Sequence, residues 1–373
     1  MRVLHVTPAY HPARVYGGPI RSVHGLTRAL ARAGTDVRVL TTNANGLRRV
    51  VGEDTRTEHE VEANLRVRYA ERLAFHSVSP ALVARLGEYV RWADVVHLTG
   101  VYSFPTIPTL VAVRAARKPL VWSPRGSLQR WEHTRRRAAK VAWELACRLL
   151  LTEHAVLHAT SDDEARQAED RISGLRCVVI PNGVDVPERV SHEESEEFRV
   201  LFLGRLDPIK AIENLLEACA RLPNGVQLTL AGTGPPDYDA RLRARAAELQ
   251  LGDRARFVGE VGDELKQDLF SKTDVLVLPS FSENFGLVVA EALAHGVPAV
   301  ASRGTPWQAL QEAGLGKWVD NGPDSLARSL SELRAADLRA MGDRGRAWVA
   351  KELGWPAVAA RMLALYRELL GVG

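Results

Sequence analysis

The 373-residue chain has only three cysteines, Cys147, Cys177 and Cys219, scattered and odd in number. No pair has the spacing of a disulfide framework or a metal clip, so both are excluded and a reducing cytoplasm is the expected setting. No apolar run reaches the roughly 18 residues of a membrane span. The opening MRVLHVTPAY lacks the basic start and apolar core of a secretion signal, and reads as a strand running into a loop. No G-x-G-x-x-G follows that first strand, which argues against a nicotinamide-binding fingerprint and hence a dehydrogenase.

What is present is the composition of a soluble globular protein, 46% hydrophobic and 25% charged, long enough for two domains. Net charge is +4 but uneven: residues 1–185 carry 27 Lys and Arg against 18 Asp and Glu, and the rest carries 22 against 27. Either the first half faces something anionic or its arginines are a solvated surface. Short β-rich runs alternate with helical patterns: Val3–Thr7, Asp36–Thr41, Val95–Leu98, Leu120–Ser123, Ala155–Thr160 and Cys177–Pro181, then Arg199–Leu203, Val226–Ala231, Ala255–Val258, Val275–Pro279 and Ala299–Ser302. Continuous Val/Leu runs imply strands buried on both faces, and strand–helix alternation implies parallel, doubly wound sheets. The pattern restarts after the polar segment VPERVSHEESEE, which reads as a linker. The expected architecture is α/β: Rossmann-like domains at 1–188 and 189–353, facing a cleft at the carboxyl ends of both sheets, with a terminal helix at 354–373.

Gly17 and Gly18 follow the first strand and precede a helix, where glycine lets backbone amides approach a phosphate; a plain loop turn fits as well. FLGRLDPIK places Arg205 and Lys210 just after the first strand of the second domain, a fork and a point charge suited to a diphosphate. Asp237 and Asp239 spell D-x-D after a Pro-Pro turn, and read as helix capping and dipole complementation rather than a metal site.

SENFGLVVAEAL sets Glu283 and Glu291 eight positions apart, about 12 Å along a helix starting near Phe285–Gly286. That is roughly the span from a sugar ring across a diphosphate to a ribose. Glu283 suits sugar hydroxyls and Glu291 the ribose diol. The amides from Asn284 through Phe285 and Gly286 to Leu287 suit the phosphates. Glu291 sits inside VVAEALA, where a buried carboxylate needs partners; a structural salt bridge is the alternative.

The run ENFGLVVAE, with GRLDPIK, PNGVD, ATSDDEA and the early GG loop, resembles the retaining family 4 glycosyltransferases of the GT-B fold along almost the whole chain. SPRGSL and GTPW are similar to a subset that builds bacterial surface polysaccharides or glycolipids, lipopolysaccharide among them. The resemblance implies that Arg205 and Lys210 bind the donor diphosphate, Glu283 touches the transferred sugar and Glu291 binds ribose. It also implies that the terminal helix crosses back to the first domain. Arg125 stands where some relatives carry a histidine and His97 lies on the preceding strand, so both are candidate contacts to the acceptor or the sugar; for His97 a histidine satisfied at a strand end is the alternative, and the stronger one.

The expected chemistry is transfer of a sugar from a UDP- or GDP-sugar to an acceptor hydroxyl with retained configuration, through an oxocarbenium-like transition state. Protein cations take up the leaving diphosphate's charge, so no metal or other cofactor is expected. A nucleotide-sugar epimerase of the same fold and a non-catalytic nucleotide-sugar-binding protein are the alternatives. The expected acceptor is a saccharide or lipid-linked, and no nucleic acid partner is expected. Residues 125–151 hold Arg125, Arg130, Arg135, Arg136, Arg137, Lys140 and Arg148 against Glu132 and Glu144. Trp131, Ala138, Ala142, Leu145 and Leu149 fall on one helical face. That face either packs on the domain's own sheet or joins the cations in peripheral contact with an anionic inner leaflet.

Overall fold

The computed structural model describes residues 1–13, 15, 17–46, 51–75, 77–129 and 137–372. The chain divides into two compact units, residues 1–183 with 355–373, and residues 184–354.

The first unit runs β1 (Arg2–Val6), α1 (Gly18–Arg32), β2 (Asp36–Thr42), β3 (Glu58–Glu62), β4 (Leu65–Ala70), α2 (Pro80–Trp92), β5 (Val95–Thr99), α3 (Thr106–Ala116), β6 (Leu120–Ser123), α4 (Arg137–Leu150), β7 (Ala155–Ala159), α5 (Asp162–Arg171) and β8 (Arg176–Val179). Its eight strands lie in the order β3-β4-β2-β1-β5-β6-β7-β8, all parallel except β3 on β4. Strands β1, β5, β6 and β7 are apolar and buried almost throughout, because helices cover both faces. Val3, Val95, Val121 and Val156 face one core, and Leu4, Val96, Leu120, Trp122 and Leu157 face the other.

The β3–β4 hairpin escapes a search for continuous apolar runs. LRVRYA alternates buried with more exposed residues, and EHEVE is a charged strand on the sheet edge. An alternating pattern is the mark of a strand with one wet face, and edge charge discourages further pairing.

The second unit runs β9 (Phe198–Leu203), α6 (Ile212–Ala220), β10 (Val226–Ala231), α7 (Pro236–Glu248), β11 (Ala255–Gly259), α8 (Asp263–Ser271), β12 (Val275–Leu278), α9 (Leu287–Ala294), β13 (Ala299–Ser302), α10 (Ala309–Glu312), β14 (Gly316–Val319), α11 (Pro323–Arg334) and α12 (Leu338–Glu352). Its sheet is wholly parallel, β11-β10-β9-β12-β13-β14, with the strand order reversing beside β9. The last strand, GKWV, is too short and too polar to announce itself in the sequence.

The division falls at Gly183–Val184 rather than at 188. Val184 N–H donates to Leu353 O at 2.9 Å and pairs with Gly354. The polar segment after it is fastened to the second unit rather than being a free linker: Arg346 donates to the carbonyls of Pro187 and Glu188, and Glu193 N–H to Ser271 O. Helix α13 (Trp355–Leu369) packs in the first unit's core beside α1. Its Trp355 indole lies against Gly25 and Gly183, where any Cβ would overlap the ring.

Helix α4 packs on the unit's core by the face opposite the expected one. Its inner side carries Glu144, which accepts from Tyr102 Oη, Trp143, whose Nε1 donates to Val101 O at 2.7 Å, and buried Cys147. Its outer side carries Ala138, Ala142, Val141, Leu145 and Leu149, the last three 49%, 54% and 71% exposed. The face therefore does not pack on the unit's own sheet. Trp131, Arg130, Glu132, Arg135 and Arg136 lie outside the described residues.

Candidate functional site

At the carboxyl edge of the second sheet, loops meet backbone to backbone. Gly204 N–H donates to Ala231 O at 2.9 Å, and a Cβ on Gly232 (φ 139°) would strike the Gly204 carbonyl. A Cβ on Gly234 would strike that of Leu206. These contacts explain why glycine stands after β10. The chain after β9 turns through a 3₁₀ segment, Pro208–Lys210, capped by Asp207 through Ile209 N–H at 3.1 Å. Phe281 N–H then donates to Ile209 O at 2.8 Å, tying the β12 loop to this turn.

That tie brings Lys210 and Glu283 together. Lys210 Nζ donates to Glu283 Oε1, and Ser280 Oγ donates to the same oxygen at 3.0 Å. The two side chains are 16% and 13% exposed. Glu283 N–H is held by Gly304 O at 3.0 Å, and Ser302 Oγ donates to Ser280 O. A carboxylate so little exposed needs such donors. Arg205 is not part of this cluster. Its side chain is 71% exposed, with Nε 3.6 Å from Asp207 Oδ2.

Helix α9 begins at Leu287, later than the sequence suggested. Gly286 is its N-cap in the left-handed region (φ 74°), and a Cβ there would come 2.9 Å from Leu278 Cδ2. Phe285 is buried against Trp307, whose Nε1 donates to Phe285 O at 2.6 Å. So Asn284, Phe285 and Gly286 form the approach to the helix. The amides that no intrahelical carbonyl can serve are those of its first turn, from Leu287. Glu291 lies on the second turn, and its Oε1 accepts from Lys266 Nζ at 2.8 Å. Asp237 and Asp239 sit in the first turn of α7 behind an N-cap Pro235. Neither caps the helix, and Asp239 pairs with Arg243.

In the first unit, Gly17 (φ 62°) is the N-cap of α1 and Gly18 its first residue. A Cβ on either would meet nothing within 4 Å. His97 is fully buried on β5, its two ring nitrogens 2.6 Å from Tyr366 Oη and from Ser123 Oγ. Ser123 Oγ in turn lies 2.7 Å from His158 Nδ1, and His158 Nε2 2.8 Å from Ile180 O. The carbonyl only accepts, so the direction of the whole chain follows: His158 Nε2–H donates to Ile180 O, Ser123 O–H to His158 Nδ1, His97 Nε2–H to Ser123 Oγ, and Tyr366 O–H to His97 Nδ1. Both rings are neutral. Burial, then nearby charge and imidazoles, holds His97 well below the ordinary histidine value, and burial with the Arg125 charge lowers His158 to about 3. His97 is thus fully engaged inside the unit and offers no atom to a sugar. Arg125 adopts φ 53° and donates to Asn182 Oδ1. Burial lowers its pKa, opposed by the Glu164 charge. Glu164 accepts from Gly126 N–H, Thr160 N–H and Thr160 Oγ–H at 2.5–2.8 Å.

The structure therefore joins Lys210 to Glu283, gives Glu291 a partner in Lys266, and sets Arg205 apart. Ser280 and Lys266 were missed by sequence reading. Ser280 stands two residues past β12, a strand-end hydroxyl that could have been suspected; Lys266, in DELKQDL, looks like any solvated lysine.

Comparisons with known proteins bear on the family and the fold. Residues 16–188 match the family model described as Glycosyltransferase Family 4, and residues 187–348 the one described as Glycosyl transferases group 1. The chain is 32% identical over 240 residues to the D-inositol 3-phosphate glycosyltransferase of Mycobacterium marinum, covering 58% of this chain and 50% of that protein. It is 34% identical over 204 residues to that of Mycolicibacterium smegmatis, covering 52% and 45%. The chain spans about half the length of the curated relatives it matches. Among solved structures it is similar to sucrose-phosphate synthase from Thermosynechococcus elongatus (TM-score 0.76, 23% identity, 100% and 99% of the two chains). It is also similar to Anabaena HepE in complex with UDP (TM-score 0.75, 18% identity, 99% and 100%). With one family model on each half and two parallel α/β units, the chain belongs to the family 4 glycosyltransferases and has their GT-B fold.

Proposed function

We propose that the protein transfers a sugar from a nucleoside-diphosphate sugar, UDP- or GDP-linked, to an acceptor hydroxyl with retention of configuration. The observation that carries this is the Lys210–Glu283–Ser280 cluster beside the N-terminus of α9, at the carboxyl edge of a parallel sheet. An ammonium has three N–H donors; Glu283 takes one, leaving two for phosphate oxygens. The first-turn amides of α9 add positive potential where the leaving diphosphate gains charge. Arg205 supplies a further cation from the exposed end of the same turn. Glu283 faces the sugar and Glu291 the ribose. The leaving phosphate itself takes the acceptor's proton, and these protein cations do the electrostatic work of a divalent ion.

The test is incubation with a panel of UDP- and GDP-sugars, chosen by thermal shift, and acceptors that include lipid-linked saccharides and D-inositol 3-phosphate, the substrate named for the curated relatives. The expected result is free nucleoside diphosphate with a glycosylated acceptor, retained anomeric configuration by NMR, and activity that survives a chelator. An isomerised sugar nucleotide with no loss of diphosphate would reveal an epimerase. Inversion, or strict dependence on Mg²⁺ or Mn²⁺, would overturn the retaining, metal-independent reading.

We place the protein in the cytoplasm, docking peripherally on an anionic inner leaflet through α4. Val141, Leu145 and Leu149 form an outward apolar ridge, and the only carboxylate among the described residues of α3 and α4 is Glu144, which is buried. Each Lys or Arg near such a surface contributes about 1 kcal/mol, screened by salt. The protein should cosediment with phosphatidylglycerol vesicles at low salt and release at high salt. Replacing all three ridge residues with Ser should lower binding at least tenfold by removing three buried side chains' worth of transfer energy, with an unchanged melting temperature. Equal binding by the variant, or none by the wild type, would sink the docking surface.

No helix among the described residues is long and apolar enough to cross a membrane.

A further inference from the structure

The second unit holds an ion pair whose lysine the chemistry above does not use. Lys266 closes the first turn of α8 and Glu291 is on the second turn of α9, and Lys266 Nζ lies 2.8 Å from Glu291 Oε1. The side chains are 13% and 16% exposed. One helical turn further along each helix, Phe270 packs on His295 with ring centroids 4.7 Å apart. The two helices are therefore joined by two rungs, an ionic one toward the carboxyl edge of the sheet and an aromatic one beneath it. The aromatic rung and the apolar cluster around Phe270, Val289 and Leu293 already fasten α8 to α9. A pair this little exposed adds little to stability over apolar residues of the same size, so fastening does not account for it.

We infer that Lys266 is a positioning residue for nucleotide recognition: it fixes the plane of the Glu291 carboxylate so that both oxygens can accept from the vicinal hydroxyls of a ribose, and thereby sets preference for ribonucleotides over 2′-deoxyribonucleotides. This rests on the reading of Glu291 as the ribose residue. A free carboxylate rotates about its last bond, and two hydroxyls on adjacent carbons need two acceptors in one fixed plane. A lysine that binds one oxygen at 2.8 Å opposes that rotation. The ion pair lies in a site that water barely reaches, and a charge-assisted hydrogen bond is the stronger kind.

The experiment is calorimetric titration of the full chain with UDP, GDP and their 2′-deoxy counterparts, for the wild type and for Lys266→Met, Lys266→Arg and Glu291→Gln. Lys266→Met keeps the stem and removes the charge. It should weaken binding of the preferred ribonucleotide about tenfold and bring the ribo-to-deoxyribo ratio to within about threefold of one, as expected for loss of a charge-assisted orientation. Its kcat at saturating donor should stay within about twofold, since the ribose is remote from the reacting carbon. Lys266→Arg should restore most of the discrimination, and Glu291→Gln should abolish it. If Glu291→Gln loses discrimination and a folded Lys266→Met does not, the role of Lys266 is refuted while the ribose site stands. If Glu291→Gln is silent, the ribose reading falls and this inference with it.

Discussion

Lys210→Ala is expected to lower kcat/KM by roughly 30- to 1000-fold, about 2–4 kcal/mol of transition-state stabilisation, with most of the loss in kcat. The reasoning starts from position. Lys210 closes a 3₁₀ turn that Asp207 caps, and the β12 loop is hydrogen-bonded to that turn, so the ammonium is held in place before any substrate arrives. A preorganised cation stabilises growing negative charge without reorganisation at the moment of reaction. The substitution does a second thing: it leaves Glu283 with Ser280 as its remaining side-chain donor among the described residues, a carboxylate 13% exposed and short of its counter-charge. Lys210→Ala should therefore also lower the melting temperature, whereas Lys210→Ala combined with Glu283→Gln should recover stability and not activity. Arg205→Ala should cost less, toward the 30-fold end, because that side chain is 71% exposed and must be ordered by the donor. Steady-state kinetics with the donor found by thermal shift, beside melting curves, checks all three. Wild-type turnover by Lys210→Ala would remove Lys210 from the chemistry.

These gradations were not available from the sequence, although the residues were. Eleven of the fourteen strands among the described residues read out directly as apolar runs, the half-exposed edge strands β8 and β11 included, and so did the glycines and cations at their carboxyl ends. Strands β3, β4 and β14 did not, because the first two alternate or carry charge and the last is four residues with a glycine and a lysine. The direction of α4 was equally hidden. Its apolar spacing was plain, but whether that face turns inward depends on Tyr102 and Val101, more than 40 residues from their partners on α4. His97 shows the limit most clearly. As a lone histidine on the strand before the SPRG motif it reads either as a contact to the acceptor or sugar or as a histidine satisfied at a strand end. Its partners Ser123 and Tyr366 are 26 and 269 residues away, and only the folded unit shows that no ring nitrogen is left over. Lys266 is the converse, an ordinary-looking surface lysine that folding places against Glu291.

The buried histidines of the first unit should make its stability steeply dependent on pH. His5, His97 and His158 are each about 1% exposed or less, with His5 stacked on His97 at 4.5 Å and His158 edge-on to it at 5.6 Å. Burial, then the Arg125 charge, lowers His5 to about 3; His158 is likewise lowered to about 3, and His97 well below its ordinary value. In the unfolded chain all three titrate near 6.5. Between about pH 6.5 and 3 the unfolded state therefore binds up to three more protons than the folded one, so stability is fully present above 6.5 and falls as the pH drops. Each proton contributes about 1.4 kcal/mol per pH unit, roughly 4 kcal/mol per unit for the three, against a typical domain stability of about 5–15 kcal/mol. The first unit should then unfold near pH 4–5, with loss of near-ultraviolet dichroism from buried Trp122. Three variants apportion the effect. Neither ring nitrogen of His5 has a hydrogen-bond partner among the described residues. His5→Phe keeps the stacking, removes two orphaned polar atoms and should stabilise at pH 7 by about 1–2 kcal/mol. His158→Gln can still donate to Ile180 O and accept from Ser123, so it should fold, and it cannot titrate. Each should remove one proton's worth of slope from a plot of unfolding free energy against pH, and the double variant two. A melting temperature that stays flat from pH 7 to 5 in the wild type, or a slope that neither variant changes, would show that these imidazoles do not govern the acid limb.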